Sequence, residues 1–93
     1  MIRLALLLLL AACASPSPRY MGAEETELTL DGARFHVFAL EDSAQVIRMG
    51  ETRQDAEALI EASRRAAAQA TGCEPGKVLR FDGSVIDFAL ACG

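Results

Sequence analysis

Two Asp-Gly dipeptides constrain the fold of this 93-residue chain more than any other feature. They are Asp31-Gly32 and Asp82-Gly83, and each lies between two runs of strand-forming residues. Asp-Gly favours a two-residue turn with positive φ at both positions, whose twist matches that of paired antiparallel strands. Each dipeptide therefore predicts a β-hairpin.

The residues around the first dipeptide also predict the register of its hairpin. Leu28 and Leu30 alternate with polar residues, as in a strand with one buried face. A turn at residues 31–32 places three pairs on that face: Leu30 with Ala33, Leu28 with Phe35, and Thr26 with Val37. The opposite face receives Thr29 with Arg34, and Glu27 with His36. Residues 44–49 predict a third strand, and a three-residue turn would place Ile47 beside Val37 and Met49 beside Phe35.

A helix is predicted after this strand. Thr52-Arg53-Gln54-Asp55 resembles a capping box, with Asp in place of the preferred Glu. Apolar or small residues follow at helical spacing: Ala56, Leu59, Ile60, Ser63, Ala67 and Ala70. Gly72 is a typical left-handed cap at the end of a helix. Arg64 and Arg65 lie off the apolar stripe, and we expect them on a solvated face.

The rest of the chain completes the predicted fold. Pro75-Gly76 indicates a turn, and residues 77–81 and 84–92 predict strands around the second Asp-Gly, with Leu79 beside Ile86. Residues 24–93 are thus expected to form an α+β domain in the order βββ-α-ββ. Its antiparallel sheet would carry one helix packed on one face.

The predicted register leaves a group of apolar residues on the sheet face away from the helix. These residues are Phe38, Leu40 and Val46. An exposed apolar patch of this kind indicates a surface for a protein partner. Two other interpretations stay open: the preceding segment covers these residues, or the predicted register is wrong.

The start of the chain predicts where the protein is located. Arg3 precedes the apolar run 4–12, which is too short to span a bilayer and is typical of a secretory signal. The run ends in Leu10-Ala11-Ala12-Cys13, which resembles the lipobox of bacterial lipoproteins. The resemblance implies that the Cys13 thiol receives a diacylglycerol, that the chain is cut before Cys13, and that the new amino terminus is acylated.

The resemblance also implies a membrane. Ala14 follows the cysteine, whereas Asp at that position usually retains a lipoprotein in the inner membrane. We therefore expect lipid anchoring on the periplasmic face of the outer membrane. The alternatives are ordinary signal-peptide cleavage after Ala14 and an uncleaved membrane anchor.

Residues 13–23 are predicted to be the lipidated cysteine and a flexible tether, after a signal peptide at residues 1–12. The segment is rich in proline and serine, which favours an extended chain, and ten such residues reach about 30 Å. Tyr20 and Met21 would contact the membrane or a partner, or would have no special role.

Lipidation of Cys13 leaves two cysteines, Cys73 and Cys92, for an oxidising compartment. We predict a disulfide between them. A redox pair is less favoured because the C-x-x-C arrangement is absent. A metal site with His36 lacks the usual zinc spacing, so no metal or other cofactor is expected.

Charge and motifs limit the function. The net charge of −4, with scattered basic residues, provides no surface for nucleic acid. His36 opposite Glu27 predicts a cross-strand polar pair, with a general base as the alternative. No nucleophile-elbow or phosphate-binding motif is present, so an enzyme is not expected. The sequence favours a membrane-anchored periplasmic module that binds an envelope protein; the alternative is a small-molecule or metal binding module.

Overall fold

A five-stranded antiparallel sheet carries one α-helix in the computed structural model, which describes residues 16–50 and 55–92. The strands are β1 (Glu24–Leu30), β2 (Ala33–Ala39), β3 (Ser43–Met49), β4 (Glu74–Asp82) and β5 (Val85–Ala91). The helix, α1, spans Ala56–Thr71, and a short 3-10 turn spans Pro18–Tyr20. The predicted α+β class and the order βββ-α-ββ are confirmed. The spatial order is β1-β2-β3-β5-β4, so β1 and β4 are the edge strands.

The β1–β2 hairpin has the predicted register. Leu28 pairs with Phe35 and Glu27 with His36. Asp31 and Gly32 have φ values of 52° and 81°, as the tight turn requires. This hairpin therefore places Phe35 and Val37 in the core under α1.

The register of β3 differs from the prediction by one residue. Val37 pairs with Val46, not with Ile47. The loop is one residue shorter than the predicted three-residue turn, because Leu40 closes it with Ser43. The Leu40 N–H donates to the Ser43 carbonyl across this loop (2.8 Å). A shift of one residue moves every β3 side chain to the other face of the sheet. Val46 therefore lies in the core, and the prediction that Ile47 and Met49 extend it is wrong.

The second hairpin also turns one residue later than predicted. Phe81 pairs with Ile86, and Gly83 and Ser84 form the turn. The predicted Pro75-Gly76 turn is instead part of β4, whose pairing with β5 is irregular between Pro75 and Arg80. The predicted pairing of Leu79 with Ile86 is therefore wrong, and Leu79 is 49% exposed and Phe81 44% exposed.

Asp55 caps α1. Its Oδ1 accepts a hydrogen bond from the Ala58 N–H (2.8 Å), which satisfies one donor of the first turn. Thr52, the predicted cap, lies outside the described residues. Gly72 ends the helix with φ 72°, as predicted. The buried side of the helix is made mostly of small residues: Leu59, Ala62, Ser63, Ala66 and Ala67.

The two arginines of α1 have different environments. Arg64 donates from Nη1 to the carbonyls of Pro75 (2.9 Å) and Gly76 (2.7 Å), and its guanidinium lies 5.1 Å from the Phe88 ring centroid. It thus holds the irregular part of β4, and the prediction of a solvated Arg64 is wrong. Arg65 is exposed, and its hydrogen bond with Asp31 raises its pKa.

Candidate functional site

Residues 17–23, here called the docked segment, cover the outer face of the sheet, which is the face away from α1. Tyr20 is 1% exposed and packs against Phe38 and Ile47. Burial of an aromatic ring of this size removes about 150–250 Å² of surface from water. The docked segment is therefore part of the folded domain.

A buried amide holds the beginning of the docked segment. Gln45 is fully buried; its Oε1 accepts from the Ser17 N–H (2.9 Å), and its Nε2 donates to Ser17 Oγ (2.8 Å). The same Nε2 donates to Asp87 Oδ1 (2.9 Å). Ser17, Gln45 and Asp87 are called the Gln45 network below. Its carboxamide has a partner for its oxygen and for both of its N–H groups.

Further polar contacts hold the docked segment on β3 and β4. Tyr20 Oη donates to Ser43 Oγ (3.1 Å), and Arg80 Nη1 donates to Ser17 Oγ (3.1 Å). These contacts correct the prediction of a flexible tether at residues 13–23. The part from Ser17 onward is fixed to the sheet, whereas residues 13–15, with Cys13, lie outside the described residues.

The predicted partner surface is not a patch. Phe38 is 4% exposed because Tyr20 covers it, and Val46 is fully buried on the other face, under α1. Leu40 is half-buried. Of the interpretations left open by the sequence, coverage by the preceding segment applies to Phe38, and the register error applies to Val46.

His36 lies between two carboxylates on the outer face. Its Nε2 is 2.9 Å from Glu27 Oε2, the predicted cross-strand pair, and its Nδ1 is 2.8 Å from Glu25 Oε2. Because both ring nitrogens are engaged, the contacts favour a structural cross-strand polar pair over a general base. Glu25 was missed by the sequence analysis, although it lies two residues from Glu27 on the same strand face.

A cleft, here called the disulfide cleft, lies between the C-terminal end of α1, the disulfide and the ends of three strands. Cys73 and Cys92 are bonded, as predicted. The cleft has a volume of about 360 Å³, within the range of small-ligand sites. Its lining consists of Glu24, Thr26, Ala39, Leu40, Glu41, Ala70, Thr71, Cys73, Leu90 and Cys92.

The charged residues of this lining are all acidic. Leu40 and Leu90 provide apolar surface, whereas Glu24 and Glu41 are the charged residues, and the lining includes no lysine, arginine or histidine. Pairing places Glu24, the first residue of β1, opposite Ala39. Glu41 belongs to the β2–β3 loop, and its carbonyl oxygen lies 3.7 Å from Cys92 Sγ. The arrangement suits a positively charged group with an apolar stem.

Within residues 16–50 and 55–92, no group of three or more His, Cys, Asp or Glu side chains is arranged to hold a metal ion. In that part of the chain, no helix is both long and apolar enough to cross a membrane.

The sequence carried a signal for the Gln45 network but none for the cleft. Gln45 interrupts an apolar strand, and a buried amide needs hydrogen-bond partners, which indicates a segment packed over it. The cleft depends on how the helix end meets three distant strand ends, which no local pattern encodes.

No protein-family model, curated protein or solved structure matches this chain.

Proposed function

We propose that this protein is a lipid-anchored binding module of the bacterial cell envelope. Cys13 holds it on the periplasmic face of the outer membrane, and the disulfide cleft takes a lysine or arginine side chain of an envelope protein. The observation that supports binding is the cleft itself, which combines an apolar floor with two carboxylates and no cation in its lining.

The anchor is supported by the resemblance of Leu10-Ala11-Ala12-Cys13 to a lipobox. A thiol at the cleavage site is the group to which lipid is attached. Two or more acyl chains hold a protein stably on a membrane, so a fully acylated Cys13 needs no spanning helix.

The anchor is tested by expressing the full chain in a Gram-negative host that is fed an alkyne-labelled fatty acid. We expect the native chain and the Ser15→Ala control to carry the fatty-acid label and to fractionate with the outer membrane. Cys13→Ala should lose both the label and the membrane fractionation. Unchanged fractionation of Cys13→Ala would refute the anchor. A mature chain that begins at Ser15 would support cleavage after Ala14 instead.

The electrostatics of the disulfide cleft favour a cationic side chain. A lysine or arginine stem would cover Leu40 and Leu90 while its charged head reaches Glu24 or Glu41. Both carboxylates are exposed, so the cleft opens to solvent. An open cleft accommodates one side chain of a larger partner better than a free small molecule, because pockets usually enclose about 70–90% of the surface of such a molecule.

Binding is tested by NMR titration of the mature chain carrying Cys13→Ala, with acetyl-Leu-Lys-Leu-amide as the probe. We expect amide shifts at Thr26, Thr71 and Leu90, and none with acetyl-Leu-Glu-Leu-amide. Shifts located elsewhere, or equal binding of both peptides, would refute the proposed site. Tighter binding of butylamine than of the lysine peptide would support the small-molecule alternative.

A charge variant distinguishes binding by the cleft carboxylates from attraction by the net negative charge of the protein. We expect the double variant Glu24→Gln and Glu41→Gln to bind the lysine peptide about tenfold more weakly, equal to a loss of about 1.4 kcal/mol. The matched control neutralises two exposed acidic residues of α1, Glu57 and Glu61, with the same substitutions. If both double variants lose affinity equally, long-range charge and not the cleft explains binding.

A further inference from the structure

The docked segment fixes how far the folded domain can lie from its lipid. Only residues 14–16 separate Cys13 from Ser17. Consecutive Cα atoms are at most about 3.8 Å apart, so four steps bring the Cys13 Cα within about 15 Å of the Ser17 Cα. Ser17 is held by Gln45 and Arg80, so this limit applies to the sheet as well as to the chain.

This limit leaves little space between the sheet and the bilayer. The headgroup layer on each side of a bilayer is only about 5–8 Å thick, judged from the difference between its total and hydrocarbon thickness. A lipidated Cys13 lies at the surface of that layer. The outer face near Ser17 is therefore within reach of the headgroups, whereas α1 packs on the opposite face of the sheet.

The side chains next to Ser17 suit a lipid surface. Arg19 is exposed, and the Arg80 side chain is 49% exposed while it contacts Ser17 and Asp82. Guanidinium groups bind phosphate with paired hydrogen bonds. Met21 is 68% exposed, the most exposed large apolar side chain of the described residues.

We propose that the outer face rests on the membrane that carries the lipid anchor, with Arg19 and Arg80 on lipid phosphates and Met21 at the headgroup boundary. This inference rests on the proposed lipidation of Cys13. It adds a second, non-covalent membrane contact, and it orients the domain so that α1 faces the periplasm.

The chain contains no tryptophan, so one introduced indole reports on one position. Lipidated Met21→Trp protein is reconstituted into vesicles of phosphatidylethanolamine and phosphatidylglycerol whose acyl chains carry bromine. We expect strong quenching and a blue shift of the emission from the introduced indole. The matched control is Gln69→Trp on the exposed side of α1, for which we expect no quenching.

Flotation of the same vesicles separates failure of the anchor from failure of the orientation. If the Met21→Trp protein floats but its indole is unquenched, or is quenched no more than that of Gln69→Trp, the orientation is overturned and the anchor is left intact. Protein that does not float contradicts the anchor and, with it, this inference.

A charge reversal tests the phosphate contact. In the Met21→Trp background, we expect Arg19→Glu to reduce the quenching of the indole, while Arg65→Glu, at an exposed position on α1, leaves it unchanged. Equal quenching in both variants would show that Arg19 does not contact lipid phosphate.

Discussion

At the scale of single residues, Gln45 decides whether the docked segment stays on the sheet. Its amide oxygen accepts the Ser17 N–H, and its nitrogen donates to Asp87. Gln45 and Asp87 are buried and Ser17 is half-buried, so a group that loses its partner there bears a cost of desolvation. One side chain thus links a short segment of the chain to two strands.

We predict that Gln45→Leu lowers the free energy of unfolding by about 2 kcal/mol, because the Ser17 and Asp87 groups lose a buried partner. Urea denaturation followed by circular dichroism measures the change. Gln69→Leu, at an exposed helix position, serves as the control and should change stability by less than about 0.5 kcal/mol. Equal midpoints for the two variants would contradict a stabilising role of the network.

Tyr20 separates the contribution of a hydrogen bond from that of packing. We predict a loss of about 1 kcal/mol for Tyr20→Phe, which removes only the bond to Ser43, and of about 3–4 kcal/mol for Tyr20→Ala, which also exposes Phe38. The same denaturation experiment measures both. Met21→Ala, at the exposed neighbouring position, is the control. If Tyr20→Ala is as stable as Met21→Ala, the docked segment is not held on the sheet in solution.

At the scale of elements, an Asp-Gly dipeptide predicted the register of the first hairpin, whereas the second Asp-Gly placed its turn one residue too early. A two-residue hairpin turn needs positive φ at both of its positions, and Asp31-Gly32 adopts them readily. The β1–β2 register therefore followed from the sequence. The β2–β3 loop has no such dipeptide, and its closure one residue earlier than predicted reversed the faces of Val46 and Ile47. The docked segment was missed because its prolines suggested an extended chain, although the buried Gln45 indicated a cover.

The start of α1 gives a prediction at this scale. Asp55→Ala removes the acceptor for the Ala58 N–H, and we expect a loss of about 1 kcal/mol in the free energy of unfolding. Asp55→Ser should keep most of that stability, because serine caps helices nearly as well as aspartate. Thermal denaturation of both variants measures the difference, with Glu57→Ala as a control for lost charge in the first turn. If Asp55→Ser loses as much stability as Asp55→Ala, loss of the helix cap does not explain the change in the free energy of unfolding.

At the scale of the whole molecule, the disulfide both stabilises the domain and forms a wall of the cleft. Its pairing followed from counting cysteines, whereas the cleft that it lines required the complete fold. Covalent closure of a loop of about 20 residues restricts the unfolded chain. A small domain with a helix face of alanines gains proportionally more from such a link.

We predict that the double variant Cys73→Ser and Cys92→Ser lowers the free energy of unfolding by about 3 kcal/mol. Its affinity for the lysine peptide should fall as well, because both sulfurs line the cleft. Urea midpoints with and without reductant provide the measurement. Reductant should lower the midpoint of the native protein and leave that of the variant unchanged; an unaffected native protein would show that the bond contributes no stability.

The position of Ser17 over the centre of the sheet has a mechanical consequence. Gln45 belongs to β3 and Asp87 to β5, the one neighbouring pair in the described sheet that is not consecutive in sequence. A pull on the lipid anchor first loads the hydrogen bonds between Ser17 and Gln45 and, through Gln45, the bond to Asp87. The load reaches the edge strand β1 only after those bonds break. The Gln45 network therefore shields β1 from being peeled off when the membrane and a bound partner move apart.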